Sequence, residues 1–503
     1  MLQPSRTGFG TSFPDMRMVT SWYMELKASK QKDVFIPVHD FIFNKYLNES
    51  DSSVLKTILM MNKSNVRTLI TEKTSLQTIE LLSIIRTSKH CLERVEIPAA
   101  PVLCNALHGS NIKELAFIGD IDASLVSNVV ASMPQLTFLK LKESSLKEGI
   151  HFSVTVQCFC LFQCECSLTV IVRLFVELSA LKHKICFGLE KVTLIECEAA
   201  ISRAELLNID MSKITLGVTI GSIELYNVLR DTTLGNLMLE TGSDLALASD
   251  ILPTLINLKS LSLCGIYLSS CDFKLPASLQ CVGLQKIECS SEWLCSLLIT
   301  LSSLHRNVAC ELVNVVLQTN YKPYGAAKEA QLFRWRSEVL SCDMSDIEII
   351  VKTVNIELFE TLRDLSIRIL YLMTADCFSQ ASQILPTLNK LEDLYLWGTY
   401  VDQCDLKPLS TLNCVSLQEG ECSFEWLCKL LIKLSLFDHP VKCEVWDFEI
   451  LSQAPNLIDW YSSQLRFEMV SHDMSNVELH VRNRCIDQYK ALLYVNIEIF
   501  TLD

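Results

Sequence analysis

The stretch LPTLINLKSLSL at residues 252–263 recurs as LPTLNKLEDLYL at residues 385–396, which is 133 residues later. The same offset relates Glu292-Trp-Leu-Cys to Glu425-Trp-Leu-Cys further along the chain. Repetition at a fixed offset is typical of proteins built from stacked structural units. The sequence therefore predicts one repeat array in place of several unrelated globular domains.

Two further copies of the unit are visible in the apolar pattern. Apolar residues between positions 115 and 141 precede equivalent residues between 237 and 263 by 122 positions, which indicates a diverged upstream copy. A fourth copy begins at Met474, and the sequence given stops at Asp503 inside an apolar, strand-like run. Because a terminal repeat needs a polar outer face, we expect the array to be truncated at its C-terminus.

A shorter period lies inside each unit. Strand-like cores recur at intervals of about 27 residues, a period typical of solenoids. They begin near Leu370, Leu394, Cys414, Cys443 and Val477. Between them lie segments with apolar residues at helical spacing, such as 378–391 and 424–434. The pattern predicts an α/β solenoid of alternating strands and helices.

The spacing of leucines resembles that of the leucine-rich-repeat family. Leu391-x-x-Leu394-x-Leu396 fits the opening of the family motif, as do residues 258–263 and 136–141. The resemblance implies a horseshoe in which alternate strand residues are buried and those between them face the concave surface. The family's Asn or Cys position is occupied by other residues, so its side-chain ladder is not visible. These residues are Ser144, Ile266 and Thr399.

The composition agrees with a binding array and disfavours two classes of partner. Of 503 residues, 49% are hydrophobic and only 20% are charged, as expected where strands and helix faces are buried between neighbouring repeats. The 58 acidic and 44 basic residues give a net charge of −14. An acidic surface is unfavourable for nucleic acid or anionic membranes, so we expect neither as the main partner.

Most of the 22 cysteines recur at repeat positions. The pattern Cys-x-x-Leu-x-x-x-Glu-Cys appears at residues 158–166, 281–289 and 414–422, which favours small thiols packed in the core. The opening Met1-Leu-Gln-Pro-Ser-Arg lacks the apolar core of a secretory signal, which favours reduced thiols and a cytoplasmic location. The four thiols within 158–166 could alternatively chelate a soft metal, but two of them belong to the repeat pattern, and we expect no metal site.

One apolar segment has two interpretations. Residues 152–178 are long enough and apolar enough for a membrane-spanning helix. They nevertheless contain Gln157, Gln163, Glu165 and Arg173, which are costly in a lipid bilayer. Because the segment also aligns with the repeat from Glu165 onward, we expect a diverged repeat and no membrane span.

The N-terminal part does not follow the repeat. We expect a disordered start at residues 1–15, a small helical, winged-helix-like domain at 16–90, and the repeat array at 91–503. Residues 35–40 read FIPVHD, and their Val-His-Asp resembles a motif in the winged helix of NACHT nucleotide-switch proteins. The resemblance implies that His39 contacts the β-phosphate of ADP, provided that a nucleotide domain lies upstream. The alternative is that His39 is a capping or packing residue.

Together the two resemblances imply the C-terminal part of an NLR-like protein, which combines a NACHT domain with leucine-rich repeats. The sequence holds no Gly-Lys-Ser/Thr of a P-loop. It also lacks the common hydrolase, zinc-protease and dinucleotide motifs, so we expect neither an enzyme nor a bound cofactor. The function that follows is recognition of a protein or microbial ligand as the sensor part of a cytosolic innate-immune receptor. The alternative is a stand-alone repeat scaffold that assembles other proteins.

Candidate binding residues are those between the buried leucines of the strands, where a concave face would expose them. Tyr371 and Tyr395 occupy the same position in adjacent repeats, and Trp397 follows two residues later. Aromatic side chains are enriched at binding hot spots. Equally, Trp397 could pack against a neighbouring turn. The complete set of candidates is Lys140, Ser262, Tyr371, Tyr395 and Trp397.

Overall fold

The computed structural model describes residues 20–21, 23–25, 38–43, 49–71, 76–195, 207–268, 274–317, 340, 342–352, 354–401, 404, 406–407, 409–451, 464–482 and 498–501. Twenty of the strands in these ranges belong to a long parallel sheet. The mixed α/β fold is compatible with a solenoid, which confirms the predicted fold class at this coarser level. The chain forms two compact units, Met1–Asn236 and Leu237–Asp503.

The first unit alternates strands and helices. Its strands are β1 Asp40–Phe43, β2 Thr68–Thr71, β3 Arg94–Pro98, β4 Glu114–Ile118, β5 Phe138–Lys142, β6 Ser145–Leu146, β7 Cys158–Phe162, β8 Glu165–Cys166, β9 Ile185–Glu190, β10 Thr193–Leu194 and β11 Ile214–Thr219. Its helices are α1 Glu49–Asn62, α2 Thr78–Ser88, α3 Pro101–Leu107, α4 Ala123–Ala131, α5 Leu168–Ser179 and α6 Ile223–Leu229. In space the long strands follow chain order, from β1 through β5, β7 and β9 to β11. The short strands β6, β8 and β10 form a second parallel ladder.

Parallel pairing begins earlier than the repeat pattern predicts. Strands β1 and β2 lie inside the segment expected to be a small helical domain, and they align Asp40 with Thr68 and Thr68 with Arg94. A separate helical domain at 16–90 is therefore not confirmed, because α1 and α2 alternate with strands of the sheet. Short alternating runs such as Asp40–Phe43 are easily missed beside longer helical segments. The expected disordered start at 1–15 lies outside the described residues.

The second unit repeats the same alternation. Its strands are β12 Asn236–Leu239, which begins at the boundary, β13 Ser260–Tyr267, β14 Cys281–Cys289, β15 Val308–Val313, β16 Val316–Leu317, β17 Ile347–Val351, β18 Ile369–Leu372, β19 Asp393–Tyr400, β20 Cys414–Cys422, β21 Val441–Ile450, β22 Val477–Arg482 and β23 Glu498–Thr501. Its helices are α7 Gly242–Ala248, α8 Ser291–Ser302, α9 Ile356–Leu362, α10 Ala375–Ala381, α11 Phe424–Ser435 and α12 Gln464–Val470. Short 3₁₀ turns lie at Leu252–Thr254, Leu385–Thr387 and Met474–Asn476.

The repeat in the sequence is also a repeat of elements. Strands β12 to β15 and helices α7 and α8 begin 133 residues before β18 to β21, α10 and α11, respectively. We call residues 236–313 the earlier copy and residues 369–450 the later copy. The same apolar positions therefore build the same succession of strand, helix and strand twice within the second unit.

Alternation along each strand places the core on one side. In β19, Leu394 and Leu396 are completely buried, whereas Asp393, Tyr395 and Trp397 between them are half-exposed. This period of two is what a sheet with one covered face requires. The covered face packs against the helices through aromatic residues: the rings of Tyr267 and Trp293 lie 4.7 Å apart in the earlier copy, and those of Tyr400 and Trp426 lie 4.6 Å apart in the later one.

The repeat cysteines support this core. Cys166, Cys289 and Cys422 are free, completely buried thiols at equivalent ends of β8, β14 and β20. Burial raises the pKa of each thiol to about 12, so each remains protonated at neutral pH. These side chains act as small apolar core residues, as the spacing predicts.

The apolar segment at 152–178 folds as strand and helix. Its central part forms β7 and its last part falls in α5, which is only 12 residues long. Within the described ranges, no helix has both the length and the apolar character that a bilayer crossing needs.

Candidate recognition surface

The structure brings three of the predicted binding residues together on the exposed side of β18 and β19. The parallel register places Tyr371 opposite Tyr395, and their rings stack with centroids 4.4 Å apart and an interplanar angle of 15°. The ring of Trp397 lies 5.6 Å from that of Tyr371 and 6.2 Å from that of Tyr395. We call these three side chains the aromatic cluster.

The local backbone explains how Trp397 is presented. The register between β19 and β20 shifts between Trp397 and Thr399, and Gly398 between them has φ +114°, a conformation that favours glycine. The hydroxyl of Tyr400 donates to the carbonyl of Trp397 at 3.0 Å. The bulge therefore interrupts the pairing immediately after Trp397, and the pairing resumes with Thr399 opposite Glu421. Trp397 contacts the tyrosine rings on the exposed side of the sheet, and its role as a binding anchor stays a prediction.

A fourth aromatic residue, Trp446, extends the surface on β21. The register runs from Trp397 through Gln418 to Trp446 across two strand spacings, about 9.6 Å. The indole Nε1 of Trp446 donates to Glu444 at 3.2 Å. Between the two tryptophans, Gln418 donates to Ser416 at 3.0 Å, and Ser416 is completely buried. At Ser416 the surface over β20 is therefore closed to solvent.

Sequence reasoning missed Trp446, although a signal for it exists. Residues 441–450 read VKCEVWDFEI, in which buried Val441, Cys443 and Val445 alternate with polar or aromatic residues. That alternation puts Trp446 on the same side as Trp397. The tryptophan has no counterpart in the earlier copy, where Val313 occupies its place.

Carboxylates surround the aromatic cluster. The hydroxyl of Tyr371 donates to Glu348 at 3.4 Å. Burial, followed by the charges of Glu392 and Glu444, raises the pKa of Asp393, and the charge of Arg368 offsets only part of this effect. Burial, followed chiefly by the charge of Asp393, raises the pKa of Tyr395 to about 12. Burial, followed chiefly by the charge of Glu348, raises the pKa of Tyr371. The negative potential of several carboxylates therefore converges on these rings.

Two nearby lysines are already paired with other glutamates. Lys442 lies 2.5 Å from Glu444, and Lys352 lies 3.5 Å from Glu311. A third cation, Arg368, acts on Asp393 through its charge and lies 4.0 Å from Glu392. Among the described residues, Asp393 itself is within ion-pair distance of no cation. The cluster therefore keeps a negative environment after the internal pairs are counted.

Ser262 lies on the same side of the sheet but outside the aromatic cluster. It is half-exposed on β13 and aligns with Gly283 on β14. Ser262 and Tyr371 are four strand spacings apart, about 19 Å, along the register that runs through β14, β15 and β17 to β18. Any role for Ser262 therefore requires a ligand that extends along several strands.

Lys140 belongs to the first unit and takes part in an internal charge network. Its ammonium lies 3.1 Å from Glu190 and 4.5 Å from the centre of the Phe162 ring, and the side chain is only 14% exposed. Burial lowers the pKa of Lys140, but Cys160 and Glu190 together outweigh burial and raise it. A ligand would have to compete with Glu190 for this lysine.

His39 lies just before β1 and is exposed. Its Nδ1 is 2.9 Å from the carbonyl of Asn65, and its own carbonyl accepts from the backbone NH of Arg67 at 2.8 Å. These contacts connect the start of β1 to the turn before β2, which suits the packing role weighed above. A contact between His39 and a nucleotide stays a prediction.

Two features of the described residues bear on metal ions and small ligands. They contain no group of three or more His, Cys, Asp or Glu side chains placed to hold a metal ion. Within the thiol-rich segment, Cys160 donates to Glu190 at 3.3 Å and Cys164 donates to the carbonyl of Leu141 at 3.4 Å. A cavity lined by Leu189 and Leu225 encloses about 10 Å³, room for about one water.

Comparison with known protein families finds no family model that matches the chain, and comparison with curated proteins finds no related sequence. Function must therefore be argued from the geometry of the surface itself.

Proposed function

We propose that the chain is a non-enzymatic recognition protein that binds a protein ligand on the exposed face of β17 to β21. Tyr371, Tyr395 and Trp397 are the anchors, and Trp446 extends the contact. Half-exposed aromatic side chains bury large areas with little loss of conformational freedom and dominate binding at many interfaces. A flat surface suits an extended protein segment better than a small molecule, which needs a concave pocket.

The observation that carries this proposal is the difference between the two copies of the repeat. At the positions of Tyr371, Tyr395 and Trp397, the earlier copy has Met238, Ser262 and Cys264. The strands of the earlier copy nevertheless pair in the same order with the same bulge, so the aromatic residues are not needed to form the strands. Binding accounts for their presence, whereas folding does not.

A transplant within the chain tests the proposal. We would select ligands for the wild-type protein from a displayed library of random peptides, and then measure their affinity for the variant Tyr371→Met, Tyr395→Ser, Trp397→Cys. This variant gives the later copy the face of the earlier one. We expect affinity to fall about 30-fold or more, because loss of one hot spot alone costs about 2 kcal/mol.

The matched control changes the earlier copy at the same positions, as Met238→Ala, Ser262→Ala, Cys264→Ala. It should leave affinity within about twofold, since these residues lie outside the aromatic cluster. The proposal is wrong if the transplant binds every selected peptide as tightly as the wild type, with both proteins shown to be folded by their melting temperatures.

The narrower identity is part of the proposal. Leucine spacing at 391–396 and the Val-His-Asp at 38–40 support the sensor part of a cytosolic, NLR-like innate-immune receptor with a leucine-rich-repeat horseshoe. The alternative is a stand-alone scaffold, which would use the same surface and needs no nucleotide switch. Sequencing the complete transcript discriminates the two: a P-loop segment in the same reading frame supports the receptor, and a transcript without one supports the scaffold.

A further inference from the structure

The aromatic cluster and two carboxylates lie on the neighbouring strands β17 to β19. Glu348 lies on β17 and Asp393 on β19, in a row that the register connects through Ile369 on β18. The residues 133 positions earlier are Thr215 and Ser260, which are neutral. The exposed face of β17 to β19 therefore differs from the equivalent positions 133 residues earlier in two properties, because it has both aromatic rings and negative charge.

We propose that the ligand of this surface is a basic, arginine-containing protein segment whose guanidinium groups lie on the aromatic cluster and pair with Glu348 and Asp393. The inference rests on the recognition function proposed above and specifies its partner. An acidic segment would meet repulsion from these carboxylates, and a neutral one would leave Asp393 without a partner.

Arginine suits this surface better than lysine. Its planar guanidinium stacks on Tyr and Trp rings and also forms paired hydrogen bonds with a carboxylate. The ammonium of lysine is compact and more strongly hydrated, so it gains less from a ring surface. The closed surface over Ser416 favours a group that lies flat on the rings over one that must enter a deep pocket.

The internal charges leave room for such a partner. The two lysines beside the cluster pair with Glu444 and Glu311, at 2.5 Å and 3.5 Å. Arg368 lies 4.0 Å from Glu392, and its charge offsets only part of the effect of burial and like charges on Asp393. The raised pKa of Asp393 has the same physical origin, because burial and like charges make its ionised form costly until a cation arrives. A bound guanidinium would relieve that cost.

The spacing of the carboxylates suggests the probe. Two strand spacings separate β17 from β19, about 9.6 Å. In a polyproline II segment, residues three apart lie on the same side at about 9.3 Å. The probe is therefore a fluorescent, proline-rich peptide with arginines three residues apart, measured beside the same peptide with lysine or with citrulline, the uncharged analogue of arginine.

The test compares two double variants of the full chain. Glu348→Gln, Asp393→Asn removes the proposed contacts, whereas Asp376→Asn, Glu425→Gln removes the same charge from exposed helix positions. We expect the first to weaken binding of the arginine peptide about tenfold or more and the second about twofold or less. The lysine peptide should bind more weakly, and the citrulline peptide should bind no better than a glycine-serine control.

Three results would overturn the inference. If both double variants lose the same affinity for the arginine peptide, the peptide is attracted only by the overall net charge of −14. Equal binding of arginine and citrulline peptides, still abolished by the Tyr371→Met, Tyr395→Ser, Trp397→Cys variant, means that the surface recognises a ligand but not a basic one. If the triple variant binds the peptide as tightly as the wild type does, both the proposed recognition function and the proposed basic ligand are wrong.

Discussion

The earlier and later copies of the repeat share a backbone but differ in their exposed faces. Both have a register shift at the end of the strand after the 3₁₀ turn, between Leu263 and Gly265 in one copy and between Trp397 and Thr399 in the other. Both cover the sheet with a helix that begins after a capping serine, Ser290 or Ser423. The buried residues therefore determine the fold of the copy, while the exposed residues are free to differ.

Unusual backbone conformations repeat with the same offset, which extends this comparison. Lys286 and Glu419 have φ +50° and +45°, and Asp231 and Asp364 both have φ +65°. Residues with a side chain seldom adopt such values. Because Lys286 and Glu419 differ in residue type, the packing of neighbouring elements imposes the conformation at that pair. The other pair is aspartate in both copies, a residue that adopts such values more readily than most.

The largest effect should come from breaking the shared core. Leu261 and Leu394 are equivalent and completely buried. Leu261→Ala and Leu394→Ala should each lower the free energy of unfolding by about 2–5 kcal/mol, because each leaves a cavity as well as losing apolar contact. Denaturant unfolding followed by circular dichroism measures the loss. If one variant is as stable as the wild type while the other is not, the two cores are not equivalent.

A smaller effect should distinguish the two bulge glycines. A Cβ at Gly265 would lie 2.6 Å from the carbonyl oxygen of Glu240, whereas at Gly398 the nearest atom, Cα of Thr374, would be 3.4 Å away. Both glycines have positive φ, +96° and +114°, which costs alanine about 1–2 kcal/mol in either place. Gly265→Ala should therefore destabilise more than Gly398→Ala.

The difference between the two glycine variants should be about 1 kcal/mol, since only Gly265→Ala adds a clash with backbone. Thermal unfolding of the two variants side by side measures it. The reverse order of stability would show that the close approach to Glu240 is relieved without cost and would contradict the argument.

Much of the fold could be predicted because the sequence repeats itself. The 133-residue offset, the alternating strands and helices and the buried leucines at 258–263 and 391–396 all follow from apolar spacing. The strands β1 and β2 could not be predicted in the same way. Each is only four residues long, and the helical segments beside them have a stronger periodic signal.

The candidate surface was predicted in part. Strand alternation identified Tyr371, Tyr395 and Trp397 as neighbours on one face, and the structure places their rings together. It could not identify Glu348, which lies 23 residues before Tyr371 and reaches its hydroxyl only through the parallel register. From the sequence, Lys140 is free to bind a ligand. Its pairing with Glu190 is visible only in the structure, because two strands bring these distant residues together.

The smallest effect should be a pH dependence present in the later copy alone. Nδ1 of His439 lies 2.8 Å from the Asp438 carboxylate, and Nε2 lies 2.8 Å from the carbonyl of Leu412. Only the protonated ring donates both hydrogen bonds, so Asp438 first and then Leu412 raise the pKa of His439. In the earlier copy the equivalent residue is Arg306, which donates to the carbonyl of Ala277 at 2.6 Å.

The sign of the effect follows from the raised pKa of His439. Its stabilisation is fully present below the pKa of the unfolded chain, about 6.5, and is lost as pH rises through the higher pKa of the folded protein. The melting temperature of the wild type should therefore decrease by about 1 °C as pH rises above 6.5, a small change because the pair is close to solvent. The variant His439→Arg should not show this decrease. Melting curves from pH 5.5 to 8.5 measure the difference from the wild type. The reciprocal Arg306→His should gain no such dependence, because His305 stands where the later copy has Asp438, and a gain would show that the carbonyl contact alone is enough.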